Sequence, residues 1–151
     1  MPNLARSSPI PLFQRLCSQD GELSDAGSFD ATRLHGSIAS ELATLLNTRC
    51  GLTITEFLTC HGTVLDYGVP DFSAMSRRST EDLLIVSKVI QHAIHLFEPR
   101  LSQTQVLAVA ESGLSSNAQI RIVAAVRLGL TLRRVDFEMP VNLSDGTSGT
   151  L

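Results

Sequence analysis

The chain has 151 residues, 43% of them hydrophobic and 18% charged, enough for one domain with a buried core. A net charge of −3 excludes a protein held on nucleic acid by overall positive charge, and no Trp, one Tyr and six Phe leave few platforms for stacking single strands. No stretch approaches the ~18 consecutive apolar residues of a membrane span, Met1 to Arg6 lack the apolar core of a secretory signal, and Cys17, Cys50 and Cys60 read as reduced cytosolic thiols.

Residues 1–10, with two prolines and two serines, are expected to form a flexible N-terminus. Leu12, Phe13 and Leu16 then suggest a short helical turn, and 20–29 a Gly/Ser/Asp-rich loop. A helix is predicted from about Asp30 to Asn47, with Leu34, Ile38, Leu42 and Leu45 as its buried stripe. Asn47 suits its C-terminus, and Arg49 favours the negative end of the helix dipole. Between Cys50 and Arg78 no period is sustained, but Leu65 to Ser73 sets a Gly and a Pro among apolar side chains, as in an ordered loop docked on a core.

The most regular stretch runs from Ser79 to Arg100. Ser79 is a predicted N-cap, and Asp82 places a carboxylate near the positive helix end. Leu83, Val86, Ile90, Ala93, Ile94 and Phe97 draw one apolar stripe, while Lys88, Gln91, His92 and His95 are expected to meet water. Pro99 ends the helix, having no N–H and biasing Glu98 away from helical angles. After it the period changes from 3.6 to 2. Strands are predicted over Gln103–Ala110, around Ile120–Leu128 and around Val135–Met139, joined by a loop at 111–117 and a turn near Gly129. Residues 143–151 read as a flexible C-terminal tail. The expected architecture is α+β: N-terminal helices and one long central helix packed on a C-terminal three-stranded antiparallel meander, all within a single domain over 11–142.

Four segments occur in order: Leu12-Phe13-Gln14-Arg15-Leu16, Leu45-Leu46-Asn47-Thr48-Arg49, Asp66-Tyr67-Gly68-Val69-Pro70-Asp71 and Phe97-Glu98-Pro99-Arg100-Leu101. Together they resemble the TssE family of type VI secretion baseplate subunits, within the group named after the gene 25 wedge protein of contractile phage tails. The resemblance covers about residues 10–140. It implies a non-enzymatic part of a cytoplasmic baseplate docked at the inner membrane. The implied partners are the wedge subunits TssF and TssG and the sheath subunits TssB and TssC, with no cofactor, nucleic acid or small-molecule substrate. The Glu-Pro-Arg signature carries over to Glu98, Pro99 and Arg100, and the loop signature to Tyr67, Gly68, Val69, Pro70 and Asp71.

The candidate interaction residues are therefore Glu98, Pro99, Arg100, Asp66, Tyr67 and Asp71. Glu98 and Arg100 admit two compatible readings, an internal bridge that locks the helix-to-strand corner or pairing with a partner. Tyr67, Pro70 and Phe72 read first as core-docking groups. A three-stranded meander also offers a border for strand addition, and the arginines at 121, 127, 133 and 134 offer positive charge to an acidic partner. Competing chemistries are weaker. Glu98 with Asp66 or Asp71 would need hydrolase geometry that no spacing shows. His92, His95 and Glu98 lack a further ligand motif. Cys60-His61 lacks an orienting group, and the Gly113 loop lacks the spaced glycines and lysine of a phosphate-binding loop.

Overall fold

The computed structural model describes residues 31–110, 117–128 and 131–143. The expectations for residues 1–30, the loop at 111–116, the turn near Gly129 and the tail from 144 onward lie outside them. Helix α1 spans Ala31–Asn47. Helix α2 spans Ile54–Thr59, a 3-10 turn Val64–Asp66, and helix α3 Thr80–Phe97. Strands β1 (Leu101–Ala110), β2 (Asn117–Leu128) and β3 (Thr131–Asn142) follow, in the sheet order β1-β2-β3 and antiparallel throughout. This is the α+β arrangement read from the sequence.

The helices form for the predicted reasons. Leu34, Ile38, Leu42 and Leu45 are buried along α1, joined by Leu46. The Ser79 hydroxyl accepts from the Asp82 N–H at 3.2 Å, so the helix start is capped as expected. The Asp82 carboxylate in turn accepts from the Ser76 N–H at 2.7 Å and ties the incoming chain to that first turn. Val86, Ile90, Ala93 and Ile94 are fully buried, and Val89 and Ser87 extend the covered face of α3 beyond the single predicted stripe. His92 departs from its expected water-facing position. Its ring meets Phe57 of α2 edge-on at 5.6 Å, and Nε2 is buried with no hydrogen-bond partner among the described residues.

The stretch read as irregular between Cys50 and Arg78 contains α2. Thr53 opens it with a reciprocal cap: its N–H and hydroxyl donate to Glu56 Oε2 at 2.9 and 2.6 Å, and the Glu56 N–H returns to the Thr53 hydroxyl at 3.4 Å. Phe57 is its one buried side chain, which is why six residues show no periodicity.

The inner face of the sheet carries Ala118, Ile120, Ile122, Ala124 and Val126 of β2 and Phe137 and Val141 of β3, all in the core with the stripes of α1 and α3. Leu143, just past β3, is buried with them. The outer face alternates with these and includes the exposed Leu107 and Val109 and an Arg121–Asp136 ion pair at 2.6 Å. Between Ser102 and Gln105 β1 gains one residue on β2, since Ser102 pairs with Ala125 and Gln105 with Val123. Gln103 sits in this bulge at φ +52°, the left-handed region that side chains resist.

Candidate functional site

The corner after α3 is built from backbone first. The Glu98 N–H closes the last helical turn on the Ile94 carbonyl at 2.9 Å, and the Leu101 N–H folds back on the Glu98 carbonyl at 3.1 Å, so the chain turns sharply through Pro99 into β1. This brings the side chains of Glu98 and Arg100 to the same side. Arg100 Nε donates to Glu98 Oε1 at 2.6 Å and Nη2 to Oε2 at 2.5 Å, a two-pronged pair, while the Arg100 N–H reaches Oε1 at 3.3 Å. Arg100 Nη1 donates to the Ser37 hydroxyl at 3.2 Å and ties the corner to α1. Glu98 is only 5% exposed. The hydrogen bond to Glu98 raises the Arg100 pKa, burial lowers it, and the charges of Glu98 and Glu41 raise it further, with a net upward shift.

The internal reading of the two charges is thus realised: each occupies the other. Pro99 remains exposed at the apex. Both Glu98 carboxylate oxygens accept from Arg100. No group of three His, Cys, Asp or Glu side chains suited to a metal occurs among the described residues.

The second candidate segment docks on α1. The Cys50 N–H donates to the Val69 carbonyl and the Val69 N–H to the Thr48 carbonyl, both at 3.0 Å, which pairs Arg49 with Val69 as a short parallel bridge. Gly68 permits this approach. Its φ is +119°, and a Cβ there would lie 2.6 Å from the Thr48 carbonyl oxygen. Val69, Pro70 and Phe72 are buried, and Tyr67 is half-buried edge-on to Phe97 at 5.3 Å. Burial raises the Tyr67 hydroxyl pKa, helped by the Glu41 and Glu98 charges. Arg49 donates to the Leu46 carbonyl at 2.7 Å, the helix-end role expected of it.

Asp66 and Asp71 each close a local turn. Asp66 accepts from the Thr63 N–H and hydroxyl at 3.0 and 2.7 Å, and Asp71 from the Ser73 N–H and hydroxyl at 2.9 and 2.7 Å. These bonds hold both carboxyl groups below the usual range. Asp71 still faces solvent and Asp66 partly so.

Three side chains missed in the sequence complete the site. Ser87, lying amid the apolar stripe, accepts from the Ala108 N–H at 2.9 Å, and Gln91 donates to the Thr104 carbonyl at 2.7 Å. Both contacts occupy the outer border of β1. On β3, His35 of α1 stacks on Phe137 at 4.5 Å and lies 3.4 Å from the Asp136 carbonyl. Only pairing across elements distinguishes these residues, and a single sequence does not display it.

The described residues thus form a helix-backed meander with an ion-paired corner and two unequal borders. The sequence matches the family described as "Baseplate wedge protein gp25" over residues 32–129, from the start of α1 through β2, and the chain belongs to that family. Among solved structures it is similar to a chain of the baseplate complex from the type VI secretion system, at 19% identity and TM-score 0.52, covering 74% of this chain and 96% of that one. It is also similar to a Geobacter sulfurreducens protein provisionally described as a tail lysozyme, at 20% identity and TM-score 0.51, covering 81% of this chain and all of that one. At these identities the two likenesses establish the fold. No curated protein is significantly similar to the chain.

Proposed function

We propose that the protein is a TssE-type wedge component of a type VI secretion baseplate. In this reading it works by assembly in the cytoplasm, with the baseplate docked at the inner membrane. It docks the wedge subunits TssF and TssG and helps to start the contractile sheath of TssB and TssC by strand addition and charge pairing. The observation that carries the reading is the family match over residues 32–129, which includes the Glu98-Pro99-Arg100 corner. The geometry fits the task in two ways. A corner locked from within presents Pro99 and the outer side of Arg100 in one fixed pose, and preorganisation lowers the entropy cost of docking. A meander border offers main-chain hydrogen bonds to an incoming strand.

The proposed contact residues are Glu98, Pro99 and Arg100 at the corner and Asp66, Tyr67 and Asp71 on the loop. Glu98 acts there by holding Arg100, and Tyr67 by anchoring the loop on Phe97. Asp71 is the loop residue most open to a partner. A second reading, a baseplate protein of another contractile injection machine such as a phage tail, uses the same contacts and is favoured by the family's own description. A peptidoglycan hydrolase is disfavoured by the closed Glu98–Arg100 pair.

The test is co-purification of the tagged full chain from cells, with fluorescent sheath counted in a strain lacking the gene. Large wedge subunits should come down with the chain, and sheaths should vanish without it. Normal sheath numbers in the deletion strain would refute the role, and cell-wall turnover lost in Glu98→Gln would restore the hydrolase.

A further inference from the structure

The two borders of the sheet are not equivalent. In an antiparallel pair, alternate residues turn both backbone groups to the neighbour and the residues between turn theirs away. On β1 the Thr104 carbonyl and the Ala108 N–H are already bonded to Gln91 and Ser87 of α3, which interrupts that border at every fourth residue. On β3 the Asp136 carbonyl turns toward His35. Pro140 stands at the same parity in an unbroken register, and having no N–H it is suited to the outward side of an edge strand. Leu132 and Arg134 share that parity, and no described residue bonds to their backbone from outside. Among the described residues the longest border stretch that no outside contact interrupts is therefore Thr131–Val135, from the start of β3 to the contact of His35 with Asp136.

Its side chains are cationic. Arg127, Arg133 and Arg134 are all exposed, and Arg127 lies directly opposite Leu132, itself 52% exposed. Arg127 and Arg133 form no ion pair with any described residue. Arg134 lies within electrostatic reach of Asp136, whose carboxylate is already bonded to Arg121. A second copy of the chain joined border to border would set arginine against arginine, and like charges facing each other across a sheet repel. The same charges favour a strand of the opposite sign.

We propose that the outer border of β3 over Thr131–Val135 accepts an extended acidic segment of a partner protein, with carboxylates against Arg133 and Arg134 and an apolar side chain against Leu132. The inference rests on the strand-addition reading above and assigns it one border and one partner chemistry. Arg127 adds to the field that draws the segment in, so binding weakens with salt.

The test titrates the isotopically labelled full chain with two synthetic Val/Thr-rich peptides, identical except for glutamates or lysines at the two positions that face Arg133 and Arg134, and follows backbone amides by NMR. The glutamate peptide should shift the amides of 131–135, bind about tenfold tighter than the lysine peptide and lose affinity with added salt. Arg133→Glu/Arg134→Glu should reverse the preference. Leu132→Pro removes an outward N–H without breaking a bond to β2, and it should abolish binding of either peptide. Equal affinity for both peptides, or insensitivity to the arginine reversal, overturns the acidic partner and leaves strand addition standing. Undiminished binding to Leu132→Pro, shifts confined to β1, or no shifts at all overturn pairing at this border.

Discussion

Arg100→Ala would leave the Glu98 carboxylate buried with its two strongest donors gone. Breaking a buried pair from one side costs about 3 kcal/mol, more than the net worth of the intact pair, because the remaining charge has lost its compensation. The melting temperature of Arg100→Ala should therefore fall by several degrees, and any loss of assembly in that variant mixes folding with contact. The discriminating variant removes both charges together. Glu98→Gln/Arg100→Met should melt above Arg100→Ala and close to the native chain. Failure of this double variant to support sheath formation would mean that a partner touches the corner. Normal sheaths would mean that the corner acts by holding α3, β1 and Ser37 of α1 in place.

At the scale of elements, backbone geometry sets the expectations. Gly68→Ala meets both a left-handed φ and the Thr48 carbonyl, so it should cost at least about 2 kcal/mol and loosen the loop from α1. Gly36 lies mid-helix with nothing within 4 Å of an added Cβ, and Gly36→Ala should stabilise by about 0.5–1 kcal/mol. Gln103→Gly relieves the left-handed bulge residue and should add about 1 kcal/mol if the bulge persists. Chemical denaturation of the three variants, at unchanged denaturant slope, checks the signs.

The same elements indicate what one sequence discloses. The stripes of α1 and α3 and the alternation of β2 and β3 were legible because each buries a continuous face, and burial of a face imposes a period. The loop at Leu65–Ser73 was legible as docked because Val69 and Phe72 stand beside a Gly and a Pro. Helix α2 escaped notice because it buries only Phe57, although Thr53 and Glu56 stand at capping-box spacing and could have revealed it. His92 was set on the wrong side because α2 packs where a two-layer reading expects water. The Glu98–Arg100 fork was legible as one of two possibilities, since the charges are two residues apart. Its anchor on Ser37 was not, because 63 residues separate Ser37 from Arg100.

At the scale of the molecule, four carboxyl groups among the described residues, Glu56, Asp66, Asp71 and Asp136, sit below their ordinary values because each accepts hydrogen bonds in the folded chain. A depressed carboxyl pKa means that the unfolded chain binds more protons, so stability is complete above the ordinary values of 4.5 and 3.8 and drains away as pH falls through them and below. Unfolding curves should be flat from neutral pH to about pH 5 and descend beneath it. The variant Glu56→Gln/Asp66→Asn should descend less steeply. A steeper acid limb in that variant would contradict the assignment.

The proposed strand addition needs a rigid body that leaves the outer border of β3 open to a neighbour. Hydrogen exchange at the amides of Leu132 and Arg134, compared between the free chain and the chain within assembled baseplate and sheath, tests this most directly. These outward N–H groups should exchange fast when the chain is free and slow markedly on assembly, while the Ala108 amide, bonded to Ser87 throughout, stays protected in both. Exchange at Leu132 and Arg134 as fast in the assembly as in the free chain would contradict strand addition at this border.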